Sequence, residues 1–180
     1  MAEFVYVDNS NVFIEGQRVS AVSKGMAMNL YDALNNGVLD FSYRLDFGKL
    51  HEFVAGNDAS NIARAVLFGS RPPKNDTLWN LAQQAGFEVV VEDRNVKNKE
   101  KKIDTGIVVA MTRDAYIKAK KDKDVITLVA GDGDYVPAVK QLKEDGFTVE
   151  VVFWSHAAGE LKKACSKFIP LDKYLGHLAV

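Results

Sequence analysis

Val125-Ile126-Thr127-Leu128-Val129-Ala130-Gly131-Asp132-Gly133-Asp134-Tyr135 begins as an unbroken apolar run and ends in a turn carrying two carboxylates. A short run rich in β-branched residues, closed by glycine and aspartate, reads as a strand buried on both faces. Residues 134–145 then place Val136, Val139 and Leu142 at helical spacing and stop at Gly146. The unit is therefore strand, acidic turn, helix.

The same pattern recurs on either side of it. Residues 4–7, 62–68, 87–91 and 148–154 are further apolar runs that read as strands. Residues 76–85 carry Leu78, Leu81, Ala82 and Ala85 on one helical face, and residues 105–120 carry Ile107, Val108, Met111, Ala115 and Ala119. Strands alternating with helices of this length predict right-handed crossovers, an α/β fold and a mostly parallel five-stranded sheet. Residues 16–60 are longer than an ordinary connection and read as an insertion or lid. Within them 26–39 could be helical, and 46–55 form a helix capped by Asp46.

At 180 residues, the chain fits one domain, 1–180. Its 47% hydrophobic and 26% charged content suits a packed core and argues against disorder. No apolar run approaches a membrane span, so no membrane partner is expected. The first residues lack a signal-peptide pattern and Cys165 is the single cysteine, which together predict a cytoplasmic protein. Lysine and arginine total 23 against 24 aspartate and glutamate, so any polyanion must be held locally. Two basic stretches stand out: Arg94, Lys97, Lys99, Lys101 and Lys102, and then Lys118, Lys120, Lys121 and Lys123. Taken alone, each reads equally as a solvated loop or helix end.

In an open parallel sheet, ligands bind beyond the carboxyl ends of the strands, where strand order reverses. The first strand is followed by Asp8-Asn9-Ser10-Asn11 and the fourth by Gly131-Asp132-Gly133-Asp134. If these strands are neighbours, Asp8, Asp132, Asp134 and Asn11 share one crevice, and Asp104, just before the helix at 105–120, joins its rim. Clustered carboxylates repel, and a divalent cation removes that cost. Oxygen ligands without histidine or cysteine favour Mg²⁺ or Mn²⁺ over Zn²⁺.

Competing motifs fail at particular residues. A dinucleotide fingerprint would need glycine at Val136, and an EF-hand would need a glutamate where Lys143 stands. Haloacid-dehalogenase phosphohydrolases place a second acid after the first strand, where this chain has Ser10. His51, His156 and His177 show no metal-ligand spacing, Ser155 and His156 read as a turn that could touch the rim, and Cys165 reads as packing.

The motifs Val7-Asp8-Asn9-Ser10-Asn11, Lys102-Ile103-Asp104 and Val129-Ala130-Gly131-Asp132-Gly133-Asp134-Tyr135-Val136-Pro137, in this order, resemble the NYN domains, with the LabA-like branch nearest. These are PIN-like nucleases, and the likeness spans about residues 3–171 apart from much of 16–60. It implies a three-layer, Rossmann-like sheet of order 3-2-1-4-5 and a Mg²⁺- or Mn²⁺-dependent ribonuclease. The family's metal-site acids match Asp8, Asp104, Asp132 and Asp134, and its polar position matches Asn11. Its closing segment matches Ser155 and Phe168, with Cys165 where an aspartate is frequent.

Metal-dependent endonucleolytic hydrolysis of RNA is the leading expectation. An acidic centre repels RNA unless a positive rim holds the backbone, which gives Lys97, Lys99, Lys101 and Lys102 a role beside Asp104, with Ser155 as a further contact. Single-stranded RNA is expected because its splayed bases can stack on exposed aromatics. A non-catalytic metal- or RNA-binding module and a small-ester phosphohydrolase stay open. The sequence leaves the oligomeric state undetermined, with a homodimer among the options.

Overall fold

Alternation along the first strand sets the architecture. The computed structural model describes residues 1–71, 76–93 and 99–180. Within them β1 (Glu3–Asp8), β2 (Ile62–Arg71), β3 (Glu88–Asp93), β4 (Val125–Val129), β5 (Thr148–Phe153) and β6 (Lys167–Pro170) form one all-parallel sheet, in the order β3-β2-β1-β4-β5-β6. Phe4 and Tyr6 of β1 join one buried cluster while Val5 and Val7 join the other, so both faces of the sheet are covered. That burial explains why the strands read as continuous apolar runs.

The helices are α1 (Asn9–Ser23), α2 (Leu30–Asn35), α3 (Phe47–Ala55), α4 (Thr77–Gln84), α5 (Lys99–Ile117), α6 (Val136–Glu144) and α7 (Gly159–Ala164). Val12 and Val19 of α1, Leu50 and Val54 of α3, and Trp79 and Ala82 of α4 pack on one face. Ile107 and Met111 of α5, Leu142 of α6 and Leu161 of α7 pack on the other, where Cys165 is also buried. The chain runs outward from β1 to β3, returns through α5, and continues outward from β4 to β6. The order therefore reverses between β1 and β4, where ligand crevices form in such sheets.

Five elements differ from the sequence reading. α5 starts at Lys99, so Asp104 lies inside the helix rather than before it. α1, α7 and the short edge strand β6 are additional, and the expected helix at 26–39 contracts to α2. Residues 16–60 thus divide between the end of α1, α2 and α3. Asp46 caps α3 through the Lys49 N–H, at 3.0 Å. Asp40 gathers this stretch: it accepts from Ser20 Oγ at 2.6 Å, pairs with Lys24 at 2.7 Å and accepts from the Ser42 N–H at 3.0 Å. Those donors hold its carboxyl well below the usual range.

Gly131 ends β4's apolar run against β5. A Cβ there would lie 2.1 Å from Cδ1 of Phe153, whose ring is buried. Because its backbone N–H also donates to Asn11, the residue cannot retreat freely. Gly131→Ala should lower stability by about 1–3 kcal/mol, the usual range for forced overpacking, as read by urea unfolding. An unchanged midpoint would show that Phe153 repacks without cost.

Candidate functional site

The first turn of α1 builds one wall of the crevice. Asp8 is its N-cap, with Oδ1 accepting from the Asn11 N–H at 3.2 Å. Asn11 turns its own Oδ1 to the Gly131 N–H, 2.8 Å away, and so ties the loop after β1 to the loop after β4. In that second loop Asp132 caps a single 3₁₀ turn, Gly133–Tyr135, by accepting from the Asp134 N–H at 3.0 Å. Pro137 then opens α6.

Asp104, Asp132 and Asp134 each bring one carboxylate oxygen within 4.8 Å of the others. Asp104 is half-buried, and the other two are exposed. Neither Asp132 nor Asp134 forms an ion pair among the described residues. At this spacing ionised carboxylates repel one another. The donors are all hard oxygens, the set that Mg²⁺ and Mn²⁺ take.

Asp8 stands outside this triple and is joined to it by Tyr135. The fully buried Tyr135 hydroxyl lies 3.1 Å from Asp8 Oδ2 and 3.0 Å from Asp104 Oδ1. One hydroxyl proton can be donated to only one carboxylate at a time. Burial and the two carboxylates push the phenol well above its ordinary range, so it remains a donor. Burial pushes Asp8 up to about 6, and Asp104 and Asp132 add to that rise. The Asn11 N–H and the Tyr135 hydroxyl oppose it.

Asp8, Ser10, Asn11, Ile14, Glu15, Ile103, Asp104 and Asp132 line a 270 Å³ crevice. Glu15 is fixed by Arg18 at 3.0 Å and by His156 Nε2 at 2.6 Å. Burial resists its ionisation, but those two hydrogen bonds overcome it and hold the carboxyl below its ordinary value. The bridging role of Tyr135 and the place of Glu15 were not singled out by sequence; His156, from the turn read as able to touch the rim, meets Glu15. Tyr135 adjoins the acidic turn, but its inward direction follows only from the 3₁₀ turn.

The remaining sequence candidates lie further out. Lys102 is exposed on α5, two residues before Asp104. Lys97 and the side chains of Lys99 and Lys101 lie outside the described residues. Ser155 donates its N–H to Asp172 at 2.6 Å, and its carbonyl accepts from Lys162 at 2.7 Å. Phe168 sits beneath the Lys162 ammonium. The second lysine group, 118–123, connects α5 to β4 at the amino end of the sheet, opposite the crevice.

A single parallel sheet with an acidic cluster at the reversal of strand order is the arrangement of the PIN-like nuclease superfamily. The NYN domain model of that superfamily matches residues 5–172, and the chain belongs to the NYN domain family. The structure is similar in fold to the crystal structure of a protein of unknown function from Vibrio parahaemolyticus RIMD 2210633. The TM-score is 0.69 at 16% identity, covering 99% of this chain and 96% of that one. No curated protein matches the chain significantly. No helix among the described residues is long and apolar enough to cross a membrane.

The raised Asp8 titration has a definite sign. The unfolded carboxyl ionises near 3.8 and the folded one near 6, so the metal-free protein loses stability as pH rises between these values. Asp8→Asn keeps a good cap and removes the charge. With chelator present, the variant should gain roughly 2–3 kcal/mol over the parent at pH 8 relative to the comparison below pH 4, by urea unfolding. A constant difference across pH would mean that Asp8 is ionised at no cost.

Proposed function

We propose that this NYN domain is an endoribonuclease that hydrolyses RNA phosphodiester bonds at the crevice between β1 and β4, with Mg²⁺ or Mn²⁺ as cofactor. The observation that carries this reading is the convergence of Asp104, Asp132 and Asp134 within 4.8 Å, in an open crevice. These three would hold the cation, with Asp8 beside them. When bound, the ion would neutralise phosphate charge and make a water a stronger nucleophile.

The chain's own groups have separable tasks. Asp132 and Asp134 face solvent, where an incoming phosphate can reach what they hold. Tyr135 fixes the direction of Asp104 and Asp8, and Asp8 can take up a proton at the back of the site. The Asn11 oxygen is committed to Gly131, which leaves its NH₂ as a donor toward the phosphate side of the crevice. Lys102, with Lys97, Lys99 and Lys101, would hold the RNA backbone against the repulsion of the acids, and Ser155 would add a contact at the far rim. Single-stranded RNA is the proposed substrate and the cytoplasm the proposed location.

Labelled mixed-sequence RNA should be cut in Mn²⁺ or Mg²⁺ and left intact in EDTA. Asp132→Asn and Asp134→Asn should each lower kcat by more than roughly 100-fold, about 2.7 kcal/mol of barrier, while RNA affinity persists or rises. Asn11→Ala should cost less, on the order of 10- to 100-fold. Binding without cleavage by the parent protein would overturn catalysis in favour of a binding module. Cleavage unaffected by both aspartate changes would place the chemistry elsewhere.

A further inference from the structure

Gly131, the residue before Asp132, has both of its backbone groups engaged. Its N–H donates to Asn11 Oδ1 at 2.8 Å, and its carbonyl accepts from the Ala158 N–H at 2.9 Å. The acidic turn is therefore held from two sides, by α1 and by the loop that follows β5. That loop is closed by the Ala157 N–H, which donates to the Trp154 carbonyl at 3.0 Å. It sits against the turn, since a Cβ on Gly133 would lie 3.7 Å from that of Ala158.

His156, just before Ala157 and Ala158, returns the loop to α1. Its Nε2 lies 2.6 Å from Glu15 Oε2. Glu15 follows Asn11 by one helical turn, and residues at that spacing share one face of a helix. The contacts close a ring: Asn11 to Gly131, Gly131 to Ala158, Ala158 along the chain to His156, His156 to Glu15, and Glu15 back to Asn11 through α1. Burial resists the ionisation of Glu15, but its bonds to His156 and Arg18 hold the carboxyl below its ordinary value. It therefore accepts, and His156 Nε2 carries the hydrogen. The other ring nitrogen, Nδ1, is fully enclosed and has no partner among the described residues. An enclosed nitrogen left unpaired works against stability, and such atoms are rare where packing alone decides the residue. Arg18 gives Glu15 a second donor at 3.0 Å and is itself anchored to the Ala33 carbonyl at 3.1 Å, so loss of His156 strands no charge.

We infer that His156 is a positioning residue for the cation site: held by Glu15, it locks the loop after β5, whose Ala158 N–H fixes the Gly131 carbonyl and with it the turn that carries Asp132 and Asp134. With Nε2 committed to Glu15 and Nδ1 enclosed, the imidazole acts through the loop and not on the substrate. The inference rests on Asp104, Asp132 and Asp134 holding the cation.

The test is Mn²⁺ binding in the absence of RNA, read from the electron paramagnetic resonance signal of the free ion, for the parent, His156→Leu, His156→Gln, Ala158→Pro and Asp132→Asn. Leucine cannot donate to Glu15, whereas glutamine can place an amide N–H where Nε2 stands. His156→Leu should weaken Mn²⁺ binding on the order of 10-fold, the scale seen when a residue supporting metal ligands is removed, and His156→Gln should stay close to the parent. Ala158 has φ −51°, which proline accepts, so Ala158→Pro removes the N–H without straining φ and should reproduce the loss if His156→Leu fails to fold. A role in stability alone would lower the urea midpoint in EDTA and leave the Mn²⁺ affinity of the folded protein unchanged, which overturns the inference. Equal weakening by leucine and glutamine also overturns it, because the ring and not its hydrogen bond would then matter. If Asp132→Asn leaves Mn²⁺ affinity at the parent's level, the cation site itself falls; if it lowers that affinity and His156→Leu does not, only the positioning role falls.

Discussion

Repulsion between carboxylates is the constraint around which the carboxyl edge of the sheet is organised. Asp8, Asp104, Asp132 and Asp134 come from four points in the chain, and nothing in their own chemistry favours closeness. Each is held by a different device: a helix cap, a position inside α5, a 3₁₀ cap and the turn that cap creates. Tyr135 joins two of them with a single hydroxyl, and Asn11 fixes one loop to the other. The core beneath is stable enough to impose this because β1 and β4 are buried on both faces.

Strands were the legible part of this fold because burial on both faces leaves an uninterrupted apolar run. The capped helix at Asp46 was legible for a local reason, a good cap followed by one apolar face. α1 was not, because it buries Gln17 and Ser20 while exposing Ile14, so its polarity does not follow the helical period. Its partners explain the inversion: Ser20 donates to Asp40, Gln17 donates to the Tyr43 carbonyl, and Gly16 makes room for Trp154. β6 is a half-exposed edge strand of four residues and carries too little pattern to be seen.

At the site, the acids were legible because each follows a strand or precedes an apolar helical stretch. The hydroxyl that links them was not, since a tyrosine in a motif can face the core or the solvent with equal ease. The distribution of charge also needed three dimensions. The second lysine group looked equivalent to the first in sequence, yet the chain passes from α5 into β4 at the opposite edge of the sheet. Asp114 shows the same limit: it is buried within α5, where Tyr6 and Arg64 both donate to its Oδ2 at 2.7 Å.

The bond from Gly131 to Asn11 couples two events that would otherwise be independent. Asp8 and Asn11 belong to the first turn of α1, so fraying of that turn releases the N-cap, the tie to β4's loop and one end of the tyrosine bridge together. Trp154 adds a further tie by donating to the Val12 carbonyl in the next turn. Local opening of the helix start therefore frees Asp8, the β4 loop and one arm of the tyrosine bridge together, and its reclosure restores all three in a single step.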